Sequence, residues 1–386
     1  MNRSNMNCRI LLAVLGLLIA SVAPPARASL DIASIRLPPG FHIEVLTDRA
    51  PDAREMALGR YQAGRGVLFV GSVGAGKVYA VTLDQGRATD VKAVASGLQT
   101  PVGVAYLSGS LYISAVSRIL RIDNVDDRLE FVSAPSVVTN RFPIETHHGA
   151  KFIAFGPDGN LYVPVGAPCN VCERDENRYY NIQRINADGG GQTVIAKGVR
   201  NTVGFDWSPV DSSLWFTDNG RDGLGDDIPS DELNHVPAGA TAPLHFGFPY
   251  FHQGDLPDPE WGGKRSCSQF TPPSARLGAH VAALGMRFYS PPDGASEPFP
   301  ARFRNGIFIA EHGSWNRSTK IGSRVMFVTV DGSNKVVRQD VFAEGWLRKD
   351  ESVWGRPADV LPLPDGSLLV SDDLAGAIYR IRYAPP

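Results

Sequence analysis

Cysteine is scarce in this chain: four occur in 386 residues, at positions 8, 169, 172 and 267. So few exclude a disulfide-dense scaffold, and no second ligand pair turns Cys169 and Cys172 into a zinc site. Glu173, not histidine, follows Cys172, so covalent haem attachment is excluded as well. After residue 28 no apolar run approaches the length of a membrane-spanning helix. An excess of either charge is also missing. The 38 Lys and Arg against 40 Asp and Glu leave a formal charge of −2, which offers no broad basic surface to nucleic acid or anionic lipid. Convincing long amphipathic helices are absent too.

What is present starts with a leader. Arg3 and Arg9 precede an apolar run over residues 10–23, and Ala26 and Ala28 flank Arg27. The pattern is that of a secretory signal over residues 1–28, with a mature protein of residues 29–386 in the periplasm or secreted. No cysteine stands at the cleavage position, so a lipid anchor is not expected. The leader carries three arginines and no acid, so its loss moves the formal charge from −2 to −5. In an oxidising compartment Cys169 and Cys172 ("CNVC") are expected to close a short local disulfide, leaving Cys267 over.

The chain also has 40 glycines, 29 prolines and a repeat. A turn leads into a short β-rich segment six times: "GVLFVGSV" (66–73), "GSLYISAV" (109–116), "GNLYVPVG" (159–166), "SSLWFTDN" (212–219), "NGIFIAEH" (305–312) and "GSLLVSDD" (366–373). Most are followed by a second alternating segment, such as "KVYAVTLD" (77–84) or "AIYRIRY" (377–383). Six such pairs in the mature length leave room for about four strands per unit, which is the arithmetic of an all-β, six-bladed β-propeller. The gap from Leu214 to Ile307 is much longer than the others, so an insertion is expected there, beginning with an acidic stretch.

That stretch, "DNGRDGLGDDIPSDELNHV" (218–236), holds Asp218, Asp222, Asp226, Asp227, Asp231 and Glu232 together with Gly220, Gly223 and Gly225. Calcium takes six to eight hard oxygens, and glycines let carbonyls turn inward, so a cation site is one reading and a solvated acidic loop the other. "ETHHG" (145–149) offers His147 and His148, either of which could act as a base near neutral pH or be structural. Arg200 and Asn201 precede a strand and suit a carboxylate-bearing ligand. His312, Trp315, Arg317, Lys320 and Arg356 complete the candidates. If these loops share one face, the site suits a flat polyanion held by arginines and a cation.

From residue 145 to the C-terminus the chain resembles the soluble PQQ-dependent sugar dehydrogenases, the glucose/sorbosone dehydrogenase family, and is most similar to its sorbosone-type branch. The resemblance rests on "HHGAKFIAFGPDGNLYVPVG", "CNVC", "GVRNTVGFDWSP", "LWFTDNGRDGLGDDIPSDELNHV", "FIAEHGSWNR" and "GRPADVLPLPDGSLLVSDDLAGAIYRI". The first two repeats match in pattern only. The resemblance implies a six-bladed propeller with PQQ over the central channel and a calcium ion beside it. It implies that His148 is the base, that Arg200 faces the reacting quinone oxygens, and that Asn201, Arg317 and Arg356 contact PQQ. It places the carbonyls of Gly220 and Arg221 on calcium, and it implies a small sugar substrate and an external electron acceptor. Two positions depart from the glucose-type pattern. Ala167 stands where an acid follows the glycine, and Ala358 where a second arginine is expected. Both weigh against glucose itself, and His148 then needs another orienting partner, for which Glu145 is a candidate. A calcium-dependent sugar-lactone hydrolase and a non-catalytic binding propeller are the alternatives.

Overall fold

A computed structural model of the protein describes residues 30–130 and 132–385. The leader expected over residues 1–28 lies outside the described residues. Six β-sheets are arranged as the blades of a propeller. Blade 1 comprises Ala53–Gln62, Arg65–Ser72, Val78–Asp84 and Arg87–Ala95. Blade 2 comprises Val104–Leu107, Ser110–Ala115, Arg118–Ile122 and Ser136–Thr139. Blade 3 is built from Ala154–Phe155, Leu161–Val165, Asn181–Ile185 and Thr193–Lys197, blade 4 from Phe205–Trp207, Leu214–Asp218, Ser230–Val236 and Ala275–Ala279. Blade 5 contains Ala283–Phe288, Ile307–Glu311, Arg324–Val330 and Val336–Glu344. Blade 6 takes Pro357–Pro362, Leu368–Asp372 and Ala377–Tyr383 from the end of the chain and its outer strand, Phe41–Thr47, from the start. That pairing, Phe41 opposite Tyr383, closes the ring and joins the two ends of the described chain.

Each of the six repeated segments becomes the second strand of a blade. These strands are nearly all buried, because they face neighbouring blades on both sides. The contacts between blades are apolar layers. Val67, Phe69, Leu111 and Ile113 fill the space between blades 1 and 2. Phe152, Tyr162, Phe205 and Phe216 do the same between blades 3 and 4. Between blades 5 and 6, Phe41 meets Phe299, Phe303 and Phe342 edge-on at centroid distances of 4.7, 5.4 and 5.0 Å. Each such ring buries roughly 150–250 Å² and adds geometric preference to the burial.

The insertion lies elsewhere than the sequence suggested. The acidic residues 219–229 form an ordinary connection between the second and third strands of blade 4. The extra length is residues 237–274, between the third and fourth strands. It adds Leu244–His245 as a parallel fifth strand on blade 3 and forms a small hairpin, Phe251–His252 with Leu256–Pro257.

Near the axis, carboxylates replace water as acceptors for amides between blades. Buried Glu55 accepts from the amides of Val104 (3.2 Å) and Ile153 (3.0 Å), and Asp359 from Met56 (2.9 Å). Asp206 accepts from Phe288 (2.8 Å). One cation, Arg287, serves these three acids and lies 3.5 Å from Asp359. Burial outweighs its attraction and pushes Asp359 up to about 6. Between its ordinary value and about 6, the folded protein keeps a proton that the unfolded chain has lost, so stability falls as pH rises through that window. Asp359→Asn copies the neutral form. Its melting temperature relative to wild type should therefore climb between pH 5 and pH 8. A difference that stays flat or falls over that range would show that Asp359 is charged throughout.

Candidate active site at one end of the propeller

All the sequence-predicted site residues sit on connections at the same end of the ring. His148 lies between blades 2 and 3, and Arg200 and Asn201 between blades 3 and 4. Gly220 and Arg221 follow the second strand of blade 4, Arg317 follows that of blade 5, and Arg356 precedes blade 6. At the opposite end, a groove lined by Tyr162, Arg184, Trp207 and the 237–243 turn contains none of them.

His148 is half-buried in a left-handed backbone conformation, φ 49°, which costs a non-glycine residue roughly 1–2 kcal/mol and recurs at functional sites. Gly166 makes room for it: a Cβ there would lie 2.5 Å from the Cβ of His148. The ring's Nδ1 is 2.8 Å from the carbonyl of Ala167. A carbonyl only accepts, so Nδ1 carries the proton and Nε2 has a free lone pair. Burial, then the nearby Arg200 charge, then His147, push this histidine down to about 2. It is therefore a neutral imidazole whose Nε2 lone pair is free, and a weaker base than an ordinary histidine. The orienting partner is a main-chain oxygen at the position where the acid is missing. Glu145 instead accepts from the Tyr179 hydroxyl (2.8 Å), and His147 is exposed.

Arg200 is buried, and its guanidinium is almost saturated. Nε donates to the Asn170 carbonyl (2.9 Å), Nη2 to the Asn170 side chain (2.9 Å) and Nη1 to the Asn219 carbonyl (3.1 Å). Asp222 lies 3.4 Å away. The side-chain amide of Asn201, by contrast, has no partner among the described residues. Arg356 is aimed by two carbonyls of the blade-5 loop, His312 (3.0 Å) and Gly313 (2.6 Å), which leaves its Nη1 free. Arg317 is tied to the acidic loop through the carbonyl of Asp226 and the carboxylate of Asp227. Nearby, Asp373 joins His312 (2.8 Å) to Arg54 (2.8 Å), and burial pushes His312 down to about 4.

The six acids of residues 218–232 are mostly internal fastenings. Asp218 accepts from the amides of Arg200 (2.8 Å) and Asn201 (2.6 Å), and Asp231 from those of Gly220 (2.7 Å) and Ala282 (2.8 Å). Asp222 holds Asn316 (2.6 Å), Glu232 holds Asn234 (3.0 Å), and Asp226 caps Ser318 (3.1 Å). Burial pushes Asp218 to about 7, Asp231 to about 6 and Glu232 to about 8. Among the described residues no three His, Cys, Asp or Glu side chains group to hold a metal. What remains available is main-chain oxygen. The carbonyls of Gly220 and Arg221 accept from no donor among the described residues, and Asn316 Oδ1 is buried without a partner. The loop thus fits a cation held by carbonyls, not one caged by carboxylates.

Sequence reading did not mark Ala167 as a hydrogen-bonding group, nor Asn170, Arg54 or Asp373. The one local signal was the cysteine pair on either side of Asn170. Cys169 and Cys172 are bonded in the structure, and Cys267 is free.

A family model described as Glucose / Sorbosone dehydrogenase matches residues 104–380. An uncharacterized protein of Borreliella burgdorferi is 32% identical over 362 residues, 91% of each chain. Among solved structures, the holo form of the PQQ domain of pyranose dehydrogenase from Coprinopsis cinerea aligns with a TM-score of 0.74 at 17% identity, covering 90% of this chain and 97% of that one. A calcium structure of a Trichoderma reesei carbohydrate-active enzyme of family AA12 gives 0.75 at 18%, covering 93% and 100%. The apo form of the soluble aldose sugar dehydrogenase of Escherichia coli gives 0.64 at 19%, covering 90% and 100%. At these identities the structural likeness shows a shared fold.

The fastening role of the acids has a measurable consequence. Asp231→Ala strips the acceptor from the amides of Gly220, Ala282 and Ala283 and should cost about 2–3 kcal/mol in chemical denaturation. A loss below about 0.5 kcal/mol, the level of an ordinary surface substitution, would mean that the loop holds itself without Asp231.

Proposed function

The chain belongs to the glucose / sorbosone dehydrogenase family, and from that membership we propose that it oxidises a small sugar, an aldose or an aldosone such as sorbosone, with PQQ and calcium. The observation that carries the reading is His148. Its Nδ1–H is fixed on Ala167, and its Nε2 lone pair is free on a ring that stays neutral near pH 7. In this role Nε2 takes the proton from the sugar C1 hydroxyl. Arg200 presents positive charge that is already oriented before substrate arrives, so little reorganisation is needed as negative charge develops. Asn201, Arg356 and Arg317 would contact PQQ, with the free amide of Asn201 and the free Nη1 of Arg356 offering donors. The carbonyls of Gly220 and Arg221 would hold calcium. When bound, PQQ supplies the hydride acceptor and calcium a Lewis acid that polarises it. Electrons then pass to an external acceptor. Among the described residues no helix is long and apolar enough to cross a membrane. With the leader pattern, this reading places the protein in the periplasm or outside the cell.

The test is reconstitution. Metal-stripped protein is given PQQ with and without calcium, and absorbance and dye reduction are followed over a panel of aldoses and sorbosone. PQQ should bind only with calcium, and one class of sugar should then reduce the dye. His148→Ala should still bind PQQ but lose about 10²–10⁴-fold in turnover. Failure of PQQ to bind at micromolar levels with calcium present would overturn the assignment and make lactone hydrolysis the next assay. The acid side of the rate profile is a second check. Because His148 protonates only near 2, kcat/KM should show no acid limb at the ordinary histidine value of about 6.5.

A further inference from the structure

The CNVC loop does more than close on itself. Asn170, between the bonded cysteines, makes four hydrogen bonds to two other loops. Its carbonyl accepts from Arg200 Nε (2.9 Å), and its side-chain oxygen accepts from Arg200 Nη2 (2.9 Å) and from the amide of Asp222 (2.9 Å). Its side-chain nitrogen donates to the carbonyl of Asp222 (3.0 Å). Three residues earlier, Ala167 receives the ring of His148 and donates its own amide to the Arg200 carbonyl (2.8 Å). From below, Cys169 and Val171 pack on Ala167, Tyr179, Tyr180 and Phe248. One short segment therefore touches the candidate base, the candidate arginine and the turn that carries Gly220 and Arg221.

We infer that Asn170 is a positioning residue, and that the Cys169–Cys172 disulfide holds it in register so that it aims Arg200 and fastens the 219–222 turn. The physical reason is conformational. Two acceptors of one residue must face the guanidinium edge together, which fixes both the backbone and χ1 of Asn170. Ordering a free four-residue loop in that way costs backbone entropy at every residue. A covalent bond across the loop removes much of that freedom before Arg200 is engaged. A disulfide serving only as a surface staple would give no reason for Asn170 to bridge two other loops.

The inference rests on the dehydrogenase reading for the meaning of Arg200, so the test has a readout that needs no cofactor. In the apo full-length protein, Asn170→Ala should speed hydrogen exchange at residues 219–223 by tenfold or more. The Cys169→Ser/Cys172→Ser double variant should do so to a smaller extent, since every bonding group of Asn170 persists. In the reconstituted enzyme, Asn170→Ala should lower kcat by at least tenfold with KM changed less than threefold, and should weaken calcium binding measured by titration calorimetry. Unchanged exchange at 219–223 in Asn170→Ala would overturn the proposal. If that variant does not fold, the double serine variant decides: faster exchange confined to 166–172 would reduce the disulfide to a local staple. Should wild type itself fail to take up PQQ, the function proposed above falls, while the exchange result still stands for or against Asn170.

Discussion

Blades of a propeller share no backbone ladder, and this leaves a problem at every crossing. The amides that carry the chain from one sheet to the next, or around the mouth of the ring, are removed from water and have no strand opposite them. Here buried carboxylates answer it. Glu55 takes amides from blades 2 and 3, and Asp359 takes one from blade 1. Asp218 takes two from the connection into blade 4, and Asp231 ties that blade's turn to the entry of blade 5. Asp372 does the same for Arg356 and Ala375 (2.8 and 2.9 Å). The cost is several acids held well above their usual range. It is borne because an unpartnered buried amide would be worse, and because two amides often share one carboxylate.

The same constraint shapes the site. Arg200, Asn201 and Arg356 each donate a main-chain amide to one of these acids, so the loops are set before their side chains do anything. Side-chain orientation is then taken over by carbonyls: Ala167 for His148, Asn170 and Asn219 for Arg200, His312 and Gly313 for Arg356. Carbonyl acceptors set direction without adding a full negative charge. The close hydrogen bonds that aim Arg200 and Arg356 are thus made to carbonyls, with carboxylates such as Asp222 standing farther off at 3.4 Å.

Much of the fold was legible because burial on both faces writes itself into short apolar strands. All six second strands stand out for that reason, and their spacing counts the blades. The closing strand Phe41–Thr47 did not stand out, since it is an edge strand whose side chains between buried Phe41 and Thr47 are exposed or half-buried. The acidic stretch drew attention by composition. Composition, though, does not distinguish a carboxylate that chelates from one that accepts amides, and all six acids here accept amides or hold side chains. The true insertion, residues 237–274, was masked because it is polar, turn-rich and attached to a strand of ordinary pattern.

His148 shows where local sequence runs out. Glu145, close by in the chain, was the natural candidate to orient it. The residue that does so lies nineteen positions away and contributes only backbone. No side-chain pattern can announce that contact. What could be seen was a subtraction, alanine where an acid is expected. A side chain at 167 would have to be buried with Tyr180 and Phe248. The contact itself comes from the main chain, which any residue at 167 would supply, so it is the packing around Tyr180 and Phe248 that favours a small side chain there.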